Sequence, residues 1–301
     1  MSEAHGKFIL MGEHAVVYGH PAIAIPLDEA KVFVNIMQFH KNVIESSFYQ
    51  GDIDQLPQTF ESIQRLFFKL QQDLKLTTLK VIVDIQTVIG AGLGASATFA
   101  AALTRAMFEL SQQPLDQDTL LSYIDFSETI SHGTASGIDA RAAISKQSFI
   151  YEKPLIKPFP FQLDAYIIVI YSNIIGHTKK AISKVKYQID HSDQGMAHID
   201  RLVEYTQEAI VAIQQNDVIK LGHLMTHSHQ LLKKLGVSHQ TLDDLVSVAL
   251  ENGAYGAKLT GGGLGGCMIA LCNKEVVKTL RNYADEHGFH QTFTTYLGDK
   301  L

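Results

Sequence analysis

The period of apolar and polar positions changes several times along the first 160 or so residues. "GKFILMG", "PAIAIPL", "AKVFVNIMQF" and "NVIESSFY" are short apolar or alternating runs that predict four strands with no helix between them. "FESIQRLFFKLQQDL" then sets Ile63, Leu66, Phe67 and Leu70 on one helical face. "LKVIVDIQTV" alternates as a half-buried strand does, and "ASATFAAALTRAMFEL" returns to helical spacing. A helix is expected from about Asp116 to Ser131, carrying Leu120, Leu121, Ile124 and Ile130. A short helix is expected after "SGID" and a strand at "SFIYEK".

Three prolines within seven residues, in "KPLIKPFPF", mark a domain boundary and predict domains at 1–157 and 158–301. Beyond it come a buried strand, "DAYIIVIYS", and three helical stretches up to about Asn252. A glycine-rich loop, the strand "CMIALC", the helix "KEVVKTLRNYADEHG" and a last strand "HQTFTTYLG" complete the chain. Strands and helices in this order predict an α+β fold with helices on one face of a sheet.

Composition narrows the function classes. At 301 residues, 46% hydrophobic and 19% charged, the chain reads as an ordinary soluble protein with room for well-formed cores. A net charge of −6 argues against a general nucleic-acid or anionic-membrane binder. No apolar run reaches membrane-spanning length, and "MSEAHGKFILMGEHAV" is not a signal sequence. Cys267 and Cys272 fall on opposite faces of one predicted strand, so they are expected as reduced thiols in a cytoplasmic protein.

"VIGAGLGASAT" joins the alternating strand to the Ala-rich helix through Gly90, Gly92 and Gly94. Glycines let a backbone approach a bulky anion, and the free N–H groups of a helix start favour negative charge. A tight turn is the plainer alternative. The loop is neither a Walker A loop nor the dinucleotide G-x-G-x-x-G, and the protein-kinase motifs are absent. "TGGGLGG", Thr260 to Gly266, is a second glycine-rich loop, either a flexible turn or a loop packing on the same site. His223 and His227 have helical i,i+4 spacing but no acidic partner, which argues against a metal site. "KLGVSH" marks a helix end at Gly236, and neither it nor His239 is given any chemistry.

Four stretches taken in order, "GKFILMGEHAVVYG", "GAGLGASA", "HGTASGIDA" and "KLTGGGLGGC", resemble the GHMP kinases over nearly the whole chain. "GEHAVVYG", "HGTASGID" and "LLKKLGVSHQTLDDL" are most similar to the mevalonate kinase branch of that superfamily. The resemblance implies a ribosomal-protein-S5-like α+β N-terminal domain and a ferredoxin-like α+β C-terminal domain. It implies an ATP- and Mg²⁺-dependent kinase acting on the C5 hydroxyl of mevalonate in isoprenoid biosynthesis. A phosphomevalonate kinase or an inactive ligand-sensing paralogue remains the alternative.

The same resemblance supplies the expected roles. Gly90, Ala91, Gly92, Leu93, Gly94, Ala95, Ser96 and Ala97 would wrap the ATP phosphates. Ser96 and Glu128 would hold Mg²⁺. Asp139 would face the substrate hydroxyl, with Lys7 beside it, and Glu13, His14 and Thr260 would lie near substrate or phosphates. On residue chemistry alone, Asp139 and Ser96 could each simply cap a helix. The family includes dimers, and the sequence leaves a homodimer open. Departures from the family pattern are His5 before Gly6, Val88 and Ile89 in place of prolines, and Ala95 and Ala135 in place of a serine and a proline.

Overall fold

A computed structural model describes residues 1–132, 137–153 and 155–298, without the side chain of His132. Ala135, one of the departures above, lies outside the described residues, as does the whole "GTAS" stretch around it. The chain forms two compact units that interleave in sequence. The first takes residues 1–6, 28–87 and 94–145, and the second takes 7–27, 88–93 and 146–301.

Strands β1 (Ser2–Met11) and β2 (Ala22–Gln38) each contribute to both units. The expected strands "PAIAIPL" and "AKVFVNIMQF" are one long strand, β2. The polar pair Asp28–Glu29 interrupts the apolar pattern without interrupting the strand, and both side chains are exposed there.

In the first unit "NVIESSFY" divides into β3 (Val43–Glu45) and β4 (Gln50–Asp52), which pair antiparallel. Helix α1 (Glu61–Asp73) buries the predicted face of Ile63, Leu66, Phe67 and Leu70. Strand β5 (Leu79–Ile85) pairs antiparallel with residues 32–38 of β2 and parallel with β3. Helices α2 (Ala95–Ser111), α3 (Gln117–His132) and the short α4 (Ile138–Ala142) complete this unit and pack pairwise. Their apolar faces join α1 and the sheet in one core that includes Val34, Val81, Phe67, Leu103, Met107 and Ile124.

In the second unit residues 22–24 of β2 pair with β6 (Phe149–Glu152), which pairs with β7 (Leu155–Pro158). A four-stranded antiparallel sheet forms from β8 (Tyr166–Tyr171), β9 (Gly256–Thr260), β10 (Cys267–Cys272) and β11 (Thr292–Tyr296), in the order β11-β8-β10-β9. Four helices, not three, occupy the stretch before β9: α5 (Thr178–His191), α6 (Asp193–Gln214), α7 (Val218–Lys234) and α8 (Gln240–Glu251). A single residue, Ser192, divides the first two. Its extended backbone breaks the helix, and its hydroxyl accepts the Gln194 amide 3.2 Å away as a new N-cap. Helix α9 (Lys274–Glu286) bridges β10 and β11 as expected. Both cysteines are free and buried in β10. Among the described residues no helix is long and apolar enough to cross a membrane.

Candidate active site

Eight of the residues singled out by sequence come together in the second unit: Lys7, Glu13, His14, Gly90, Ala91, Gly92, Leu93 and Thr260. β1 ends in a turn that sets His14 at φ 62°, a left-handed backbone unusual for any residue but glycine. Lys7, midway along β1, is buried, and its ammonium donates to the carbonyl of Gly92 at 2.9 Å. The Lys7 amide donates to Leu93 O at 3.0 Å, so this part of the first glycine loop lies along β1. Gly90 and Gly92 have φ of 82° and 80°. Ala91, between them, and Leu93, just after, are fully buried and anchor the loop.

The second glycine loop packs directly on the first. A Cβ at Gly261 would stand 3.4 Å from Gly92 O, and one at Gly266 only 2.9 Å from Ala91 O. Thr260, at the end of β9, gives its hydroxyl hydrogen to Ile9 O and accepts the Ile9 amide, both at 2.9 Å. Its one hydrogen is therefore engaged by backbone. His14 Nε2 lies 2.9 Å from Gly262 O. A carbonyl only accepts, so Nε2 carries the hydrogen. Burial lowers the His14 pKa to about 4, and the ring is neutral at physiological pH.

Sequence reasoning missed Lys258. It is fully buried in β9, and its ammonium pairs with Glu13 and donates to Leu259 O at 2.7 Å. Burial pushes the Glu13 carboxyl up and the Lys258 ammonium down, each partly countered by the other's charge. A signal was present, because side chains two apart on a strand share a face and Lys258 is two residues before Thr260. The "KLGVSH" turn, given no chemistry above, is a brace. Gly236 ends the α7 segment at φ 73°, and Val237 O accepts the Leu264 amide at 2.7 Å. A Cβ at Gly263 would lie 2.1 Å from that same carbonyl. Nearby, His229 Nδ1 accepts the Leu259 amide at 3.3 Å, leaving Nε2 to face Asp243 at 3.2 Å. Burial outweighs that carboxylate and holds the His229 pKa at about 4.

The remaining candidates lie in the first unit. Gly94, at φ 75°, is the residue before α2, and Ala95, Ser96 and Ala97 form that helix's first turn. Ser96 is not the cap. Its Oγ is buried and has no hydrogen-bond partner among the described residues. Glu128 is buried on α3, and Asp139 is the second residue of α4, after Gly137 at φ 81°. The helix-cap alternative for Asp139 does not apply, because the cap position is Gly137. Ser96, Glu128 and Asp139 thus sit on three helices that pack on one another.

Residues 59–147 match the model of the GHMP kinase N-terminal domain, and residues 209–290 match that of the C-terminal domain. A mevalonate kinase of Thermococcus sibiricus is 31% identical, over 90% of this chain and 88% of that protein. This chain belongs to the GHMP kinases. A mevalonate kinase of Pyrococcus furiosus is 30% identical over 93% of this chain and 92% of its own length. The crystal structure of L. major mevalonate kinase in complex with R-mevalonate superposes with a TM-score of 0.83, at 26% identity, covering 100% of this chain and 96% of that one. The α+β architecture read from the sequence is that of this kinase family.

Proposed function

We propose that this GHMP kinase transfers the γ-phosphoryl group of ATP to the C5 hydroxyl of mevalonate, giving 5-phosphomevalonate and ADP in the cytoplasm. The observation that carries the reading is the similarity to two mevalonate kinases at 30% identity or better across about nine-tenths of the chain.

The residues support this chemistry. Phosphoryl transfer asks chiefly for positioning and for stabilisation of charge on the transferred group. Backbone amides of residues 90–97, entering the α2 N-terminus, suit the phosphates. Lys7 brings an ammonium to the first loop through Gly92 O. Asp139 orients the acceptor hydroxyl and takes its proton on the carboxylate as the oxygen–phosphorus bond forms.

Mg²⁺ fits the donors of the first unit. Ser96 Oγ is a buried oxygen with no hydrogen-bond partner among the described residues, and Glu128 offers a buried carboxylate on a neighbouring helix. Among the described residues there is no cluster of three metal-ligating side chains, so further ligands would come from phosphate and water, as Mg²⁺ prefers. When bound, the ion neutralises charge on the phosphate oxygens.

The test is a coupled ADP-release assay across mevalonate, phosphomevalonate, homoserine and galactose. Mevalonate is expected to turn over fastest by a wide margin. A preference for phosphomevalonate would overturn the assignment.

A further inference from the structure

Lys258 is a charged side chain with no exposed surface, in a strand whose five residues are all buried. A buried ion pair is seldom a source of net stability, since apolar residues of similar size often do as well or better. Its presence is better explained by what it holds in place. One ammonium ties together the residue before His14 and the residue before Thr260, through the Glu13 carboxylate and the Leu259 carbonyl. Two further ties flank it: Thr260 to Ile9 on one side and His14 to Gly262 on the other. His14 makes its bond from a left-handed backbone, a conformation that surrounding contacts must maintain. Gly262 lies within the segment that packs against the first glycine loop, with Gly261 next to Gly92 and Gly266 next to Ala91.

We propose that Lys258 is a positioning residue: it holds Glu13 so that His14 grips Gly262 and the second glycine loop stays seated on the first. In this arrangement Glu13 serves Lys258 and is not a ligand of the acceptor substrate. The kinetic consequence rests on the kinase reading, whereas the consequence for loop order does not.

Three variants test it: Lys258→Met, Glu13→Gln, and the combined Glu13→Leu/Lys258→Met. Hydrogen–deuterium exchange reads the loop independently of turnover. Peptides covering residues 260–266 are expected to exchange at least about tenfold faster in every variant, while β10 keeps its protection. In ADP-release kinetics kcat falls by roughly 10- to 100-fold, as small misplacements of positioned groups do. KM for ATP rises more than KM for mevalonate. The combined variant leaves no buried charge unpaired, so it folds even if a single variant does not. It is expected to melt at or above the parent temperature and still to be slow, with a loose loop.

A combined variant with parental turnover and parental loop protection would overturn the proposal, because the pair would then only fill the core. So would a Glu13→Gln variant whose sole defect is a raised KM for mevalonate. If the parent turned over none of the four acceptors, the exchange result alone would still uphold or overturn the positioning role.

Discussion

Thr260→Val separates two uses of one hydroxyl. The family resemblance puts Thr260 near substrate or phosphates, whereas the structure engages its oxygen twice with Ile9, at 2.9 Å to the amide and 2.9 Å to the carbonyl. Both residues are buried, so water cannot replace the lost partner. Valine matches threonine in shape and leaves a buried N–H without an acceptor, which costs about 1–3 kcal/mol. The lost O–H···O bond adds about 1 kcal/mol, for a total of about 2–4 kcal/mol. Thr260→Ser keeps both bonds and loses a methyl group, at about 1 kcal/mol. Denaturant titrations of the parent and both variants, followed by circular dichroism, measure the differences. The expected order is parent, then Ser, then Val, with Ser retaining most of the ADP-release activity. A valine variant as stable as the serine variant would refute the reasoning. If it were also inactive, the hydroxyl would be serving phosphate rather than Ile9.

Gly263→Ala should unfold or severely destabilise the protein, because its Cβ would fall 2.1 Å from Val237 O, whereas Gly92→Ala should fold and raise KM for ATP. Equal melting temperatures for these two variants would contradict the packing described. Asp139→Asn should lower kcat by about 10²–10⁴-fold with ATP affinity little changed in fluorescence titration, and near-normal turnover would remove its catalytic role. Acid should destabilise the fold through His14 and His229, whose folded pKa values of about 4 lie below the ordinary 6.5. The unfolded chain binds the extra protons, so stability is intact above pH 6.5 and declines toward pH 4. The loss between pH 7.5 and 5.5 is about 2–3 kcal/mol, and a flat denaturation profile over that interval would refute it.

The elements that carry the candidate site were legible because its motifs combine glycine with polar residues where a plain turn or strand has no need of them. "LKVIVDIQTV" followed by "GAGLGASA" announced a strand, a bare loop and a helix start, and the chain builds all three. Lys258 was overlooked, because a lysine in a short strand ordinarily reaches solvent and that expectation outweighs its spacing from Thr260. Only the closed face it shares with Thr260 reveals otherwise. The Gly236–Val237 turn was missed for another reason: it acts through a backbone carbonyl, and no side chain advertises that. The α5–α6 division turned on one serine cap inside a continuous amphipathic pattern, which periodicity averages over.

The two glycine loops are bare for different physical reasons, and the difference bears on function. In the second loop chain atoms crowd the glycines: a Cβ would come within 2.1 Å of Val237 O at Gly263 and within 2.7 Å of Ile174 O at Gly265. Those glycines answer to packing. At Gly92 the nearest atom to such a Cβ is Thr260 O at 3.8 Å, an ordinary contact that a methyl group would tolerate. Its φ of 80° favours glycine, yet Asn and Asp also visit that region in turns. Packing thus explains the second loop and does not explain Gly92. What distinguishes Gly92 is its carbonyl, which receives the Lys7 ammonium, in a loop running on to a helix N-terminus. A loop with room for a methyl group at Gly92 and a buried ammonium on its carbonyl suits the approach of a polyanion, whereas the crowded loop beside it is built to hold that arrangement still.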